Sequence, residues 1–101
     1  PDALKKIDDL TIHFEKNKND LEYLLADSFY HIGEYKKALE QVLSLLKQSK
    51  SDRLYLLLSM IYESLGENNT AKEHYLKLID QFPNSDYITS AKIKARILGQ
   101  H

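Results

Sequence analysis

An all-α chain, with about six helices in antiparallel pairs, is predicted by three features of the 101-residue sequence. Apolar residues recur at intervals of three and four from end to end, and no alternating apolar–polar run competes with them. Helix breakers are scarce, with three glycines and two prolines. The glycines, Gly33, Gly66 and Gly99, stand at one fixed interval of 33 residues. Such an interval marks a helical solenoid, in which one supersecondary unit stacks on copies of itself.

Leu4, Ile7, Leu10 and Phe14 share one helix face over about residues 3–16. Asn17-Lys18-Asn19-Asp20 reads as a loop, with Asn19 or Asp20 capping the next helix. Leu21, Leu24, Leu25, Phe29 and Ile32 carry that second helix, and Gly33 closes it as a left-handed residue. Ala38, Leu39, Val42, Leu45 and Leu46 mark the third. Ser49-Lys50-Ser51-Asp52 breaks it, and Ser51 or Asp52 caps the fourth.

The fourth helix, about 53–65, is apolar almost all round through Leu54, Leu56, Leu57, Leu58, Met60, Ile61 and Leu65. A helix of that kind is packed on most sides, so a central place is expected. Gly66 ends it. The fifth helix, about 69–81, turns Ala71, Tyr75, Leu78 and Ile79 inward until Phe82-Pro83-Asn84 stops it. Ser85 or Asp86 then caps a sixth helix that reaches about Leu98, before Gly99.

Composition narrows the function. Fourteen basic and fifteen acidic side chains leave a net charge of −1, which gives no basic field for nucleic acid. The lack of cysteine excludes disulfides, thiol catalysis and cysteine-based zinc sites. The longest apolar run, Leu54 to Leu58, is far short of the roughly 20 residues of a membrane span. A start at Pro1, with no signal peptide, implies a processed protein or a fragment of a longer one. Twelve lysines against two arginines, with many Ile and Asn, suit an AT-rich bacterial genome.

Superposing the glycines aligns Gly33-Glu34-Tyr35-Lys36-Lys37-Ala38 with Gly66-Glu67-Asn68-Asn69-Thr70-Ala71. Leu25-Ala26 and Phe29 fall on Leu58-Ser59 and Tyr62. Val42, Leu45 and Leu46 fall on Tyr75, Leu78 and Ile79. A small residue on the first helix (Ala26, Ser59) and another on the second (Ala38, Ala71) let two backbones approach, and glycine supplies the turn. Gly99 is expected to be the same turn used a third time.

With these residues the chain resembles the tetratricopeptide repeat family. The second unit has Tyr55, Leu58-Ser59, Tyr62, Gly66, Ala71, Tyr75 and Pro83 at the signature positions. The first departs from it, with Glu22 at the first aromatic and Lys50 at the proline. Both units have Leu (Leu45, Leu78) where a small residue is usual. The resemblance implies a single domain: a half repeat at 3–17, repeats at 19–51 and 52–84, and a terminal half repeat or capping helix at 85–99. Phe82-Pro83-Asn84-Ser85, followed by Asp86-Tyr87, is similar to the repeat junctions of bacterial envelope members. It implies a periplasm-facing location, with the cytoplasm as the alternative.

No catalytic or cofactor-binding constellation emerges. His13, His31, His74 and His101 have no partners at metal spacing, and the glycines are isolated rather than clustered for phosphate. His31 follows Asp27 by one turn, the spacing expected of an (i, i+4) surface or groove pair. Asn68-Asn69-Thr70 matches a glycosylation sequon, but at a helix start it reads as an N-cap.

Family geometry implies that first helices of stacked repeats line a groove. Tyr23, Asp27, Tyr30 and His31 from one unit would face it, with Asp20 beside them. Arg53, Leu56, Met60, Glu63 and Ser64 follow from the next, and Asp86, Thr89, Ile93 and Arg96 from the last helix. Tyr23, Tyr30, Leu56, Met60 and Ile93 form an aromatic–aliphatic strip flanked by both charge signs, as at protein-binding surfaces. The Lys/Asn carboxylate clamp of some family members is not there, since Tyr23 and Asp27 occupy its first positions.

The expectation is a non-enzymatic scaffold, without cofactor, that binds a segment of another protein. It would bind no nucleic acid and insert in no membrane. The alternative is self-association, as a homodimer, through terminal helices that look like half repeats.

Overall fold

The computed structural model describes residues 18–99, which are helical with no strand among them. Helix α1 covers residues 18–31 of the described chain, followed by α2 (Tyr35–Gln48), α3 (Asp52–Ser64), α4 (Asn68–Gln81) and α5 (Ile88–Leu98). These are five helices where the sequence leads to six. The expected first helix, over 3–16, lies outside the described residues.

The glycine turns set the period. Gly33 and Gly66 have φ of +87° and +82°, a region that only glycine enters without strain. Around each, two backbone bonds close the helix end. Glu34 N–H donates to the Phe29 carbonyl at 2.8 Å and Gly33 N–H to that of Tyr30 at 3.1 Å. Glu67 to Tyr62 at 2.9 Å and Gly66 to Glu63 at 3.1 Å repeat the pattern 33 residues on. Gly99 departs from it. It ends α5 at φ −81°, in right-handed conformation.

The second helices bury one pattern at one spacing. Ala38, Val42 and Leu45 of α2 correspond to Ala71, Tyr75 and Leu78 of α4, and all six are buried. Two core clusters result. The first joins Ala26 of α1 and the α2 residues to Leu54, Leu57, Leu58 and Ile61 of α3. The second joins Tyr55 of α3 and the α4 residues to Ala91, Ala95 and Leu98 of α5. Helix α3 thus serves both clusters, and its nearly all-round apolarity has this cause. Ser59, at the small position of α3, is fully buried and donates its Oγ proton to the Tyr55 carbonyl at 2.7 Å.

Helix starts differ from the sequence reading in three places. Residues 18–20 are helical rather than looped, and Asp20 uses its carboxylate on Arg53 instead of capping. At α4 the cap residue is Glu67, without a side-chain bond, so Asn68 and Asn69 begin the helix and do not cap it. Helix α5 starts at Ile88. Ser85 Oγ holds the Tyr87 N–H at 3.1 Å in a turn before the helix, so neither Ser85 nor Asp86 is its cap. Ser51 does cap α3, where its Oγ accepts the Leu54 N–H at 3.3 Å.

The apolar residues that mark the second helix in the sequence are mostly exposed. Leu21, Leu24, Leu25 and Ile32 are exposed, while Phe29 packs half-buried on the first cluster.

Candidate functional site

Stacking one unit on the next places equivalent residues side by side, and two side-chain bonds span one repeat interval. Arg53 Nη2 donates to Asp20 Oδ1 at 2.8 Å, and Ser85 Oγ donates to Asp52 Oδ2 at 2.6 Å. Each joins residues 33 apart, between the starts of successive first helices. Arg53 also lies over the Tyr23 ring, with its guanidinium carbon 4.2 Å from the centroid. Asp20, Tyr23 and Arg53 border a cavity of 220 Å³ that extends to Gln48 and Ser51.

Tyr23 is half-buried. Desolvation, and after it the Asp27 carboxylate and Tyr87, push its hydroxyl above the ordinary range, while Arg53 works the other way. Further along α1, the His31 Nδ1 proton goes to the Asp27 carbonyl at 2.7 Å, with the Asp27 carboxylate at 3.5 Å. Tyr30 meets the His31 ring edge-on at 5.3 Å and tilts against Tyr35 at 5.7 Å.

The other end of α3 is tied to α4 and α5. Tyr75 donates its hydroxyl to Glu63 Oε1 at 3.2 Å, and Lys94 donates to Glu63 Oε2 at 3.2 Å. Burial first, and then Glu63, hold the Tyr75 hydroxyl far above the ordinary tyrosine range, so it stays a donor. Leu56 and Met60 pack half-buried on the second cluster. Ile93 and Arg96 border a separate cavity of 340 Å³ with Lys92 and Ile97, on α5 alone.

The structure therefore gathers Tyr23, Arg53 and Asp20, pairs Asp27 with His31, and gives Glu63 two partners. Ile93 and Arg96 border a cavity that none of these residues lines. Sequence reasoning missed Lys94, and it missed that Asp20 and Arg53 pair. The available signal was opposite charge at one repeat interval. No group of three or more metal-ligating side chains among the described residues could hold a metal ion. Among the same residues no helix is long and apolar enough to cross a membrane.

The repeated turn, the buried small residues and the side-by-side first helices agree with a match of residues 2–95 to the tetratricopeptide repeat model. The chain belongs to the tetratricopeptide repeat family. Comparison with curated proteins and with solved structures returns no significant match. Tetratricopeptide repeats generally mediate protein–protein interaction and are typically non-catalytic. Within the family signature, Tyr55, Leu58, Ser59, Ala71 and Tyr75 are the buried positions of this chain, and Gly66 is its left-handed turn.

Proposed function

We propose that this tetratricopeptide repeat chain is a non-catalytic scaffold, part of a larger bacterial protein, that binds a partner segment along its first helices. The observation that carries the reading is the tie between α1 and α3 through Arg53, which holds Asp20 and Tyr23 together. A prearranged aromatic surface loses little entropy on binding, and aromatic residues and Met suit protein partners. Tyr23, Tyr30, Leu56 and Met60 are only half-buried, so each keeps surface to offer. The test is binding of a verified partner to Tyr30→Ala and Met60→Ala. Loss of affinity is expected for both, and wild-type affinity in both overturns the reading.

Self-association is the second reading, favoured by the exposed leucines of α1 and Ile32 just after it. Light scattering over a concentration series checks it; a constant monomer mass rules it out. The Phe82-Pro83-Asn84-Ser85 junction supports a periplasm-facing place in the bacterial envelope. Fractionation of cells expressing the tagged full-length protein tests this, and recovery in the cytoplasm overturns it.

A further inference from the structure

The three first helices differ in charge in a fixed order. On α1 the strip carries Asp27 between Tyr23 and Tyr30, with the carboxylate part-exposed. On α3 the equivalent residues are Leu56, Met60 and Glu63, and Lys94 neutralises Glu63. On α5 they are Thr89, Ile93 and Arg96, and Lys92 and Arg96 stand exposed around the cavity beside Ile93 and Ile97. Along this row charge thus runs from negative and aromatic, through neutral and aliphatic, to positive and aliphatic. The Asp20–Arg53 pair and Asp86 lie nearer the helix starts.

From this order, and resting on the proposed binding of a partner segment, we infer that the face takes an extended peptide of matching polarity. Its basic residue lies over Asp27, where the carboxylate and the Tyr30 ring can hold a cation. Its apolar centre covers Leu56 and Met60. Its acidic residue lies over Arg96 and Lys92. Successive first helices are linked by the Asp20–Arg53 and Glu63–Lys94 bonds. At about 10 Å per step, α1 to α5 spans roughly 20 Å. At about 3.3 Å per residue, the two charges of an extended peptide are then about five or six residues apart. The reverse orientation would set like charges against each other at both ends.

The test is selection of a random dodecapeptide display library on the full chain. It is repeated on a double variant with the end charges exchanged, Asp27→Arg with Arg96→Asp. Circular dichroism first establishes that the variant folds, since both exchanged side chains are part-exposed or exposed. Wild type is expected to enrich peptides with one basic and one acidic residue in a single order at that spacing, around an apolar centre. The exchanged variant is expected to enrich the opposite order. A wild-type-selected peptide should bind it about tenfold more weakly, since two surface pairs are lost and two repulsions created. Enriched peptides without a charge order, or with one order on both proteins, overturn the inference and leave the binding face intact. Peptides that bind Tyr30→Ala and Met60→Ala as well as wild type, or no enrichment at all, overturn the binding reading and this inference with it.

Discussion

Helices α1 and α3 occupy the same place in successive repeats, yet one apolar stripe is exposed and the other buried. Leu54, Leu57 and Leu58 of α3 are 7%, 3% and 1% exposed, because Ala38, Val42 and Leu45 of α2 close over them. Their equivalents 33 residues earlier, Leu21, Leu24 and Leu25, are 66%, 55% and 46% exposed. The residue types are identical, so what distinguishes the α3 stripe is α2 packed over it.

The largest effect should separate these two stripes. Leu58→Ala removes a fully buried side chain between α2 and α3 and is expected to cost about 2–5 kcal/mol in urea unfolding. Leu25→Ala, at the same repeat position, is expected to stay within about 0.5 kcal/mol, as surface changes usually do. Equal costs would break the comparison and mean that the α1 stripe is covered in solution.

Much of this fold was legible in the sequence, and the failures have physical reasons. The period, the turns at Gly33 and Gly66, and the buried Ala26, Ser59, Ala38 and Ala71 follow from local sterics, which the residue type itself carries. Spacing also marked Leu21, Leu24 and Leu25 as one face, but periodicity cannot say whether another helix covers a face. The expected loop fails over 18–20 for a tertiary reason. Asp20 is a good cap residue, yet a guanidinium one repeat away at Arg53 holds its carboxylate instead. Of the candidate site, the face-forming residues were readable because repeats superpose. The Glu63, Tyr75 and Lys94 cluster was not, since it depends on how three helices meet.

A middle-sized effect should distinguish the three glycines. Gly33→Ala and Gly66→Ala meet no atom within 4 Å, so their cost is purely the left-handed backbone, about 1–2 kcal/mol each. Gly99→Ala keeps a right-handed backbone, and its new methyl meets the flexible Lys72 Nζ at 2.9 Å. It is expected to change stability by less than about 0.5 kcal/mol. Chemical denaturation of the three variants checks the order. Equal losses at all three would restore Gly99 as a third copy of the same turn.

The smallest effect concerns the second helices, where Val42 of the first repeat corresponds to Tyr75 of the second. Only the second repeat has a buried hydroxyl there, raised in pKa by burial and by Glu63. Below about pH 10 the folded and unfolded chains both keep that proton, so its contribution to stability is fully present. As pH rises further the unfolded chain releases the proton while the folded chain holds it, and stability falls. The expected loss is roughly 1 kcal/mol between pH 10 and pH 11. Tyr75→Phe should remove that part of the slope, making the second repeat resemble the first. Comparing the variant with wild type isolates it from the other tyrosines, Tyr23 included. If urea unfolding gives both proteins the same slope, Tyr75 ionises in the folded chain and its bond to Glu63 does not hold in solution.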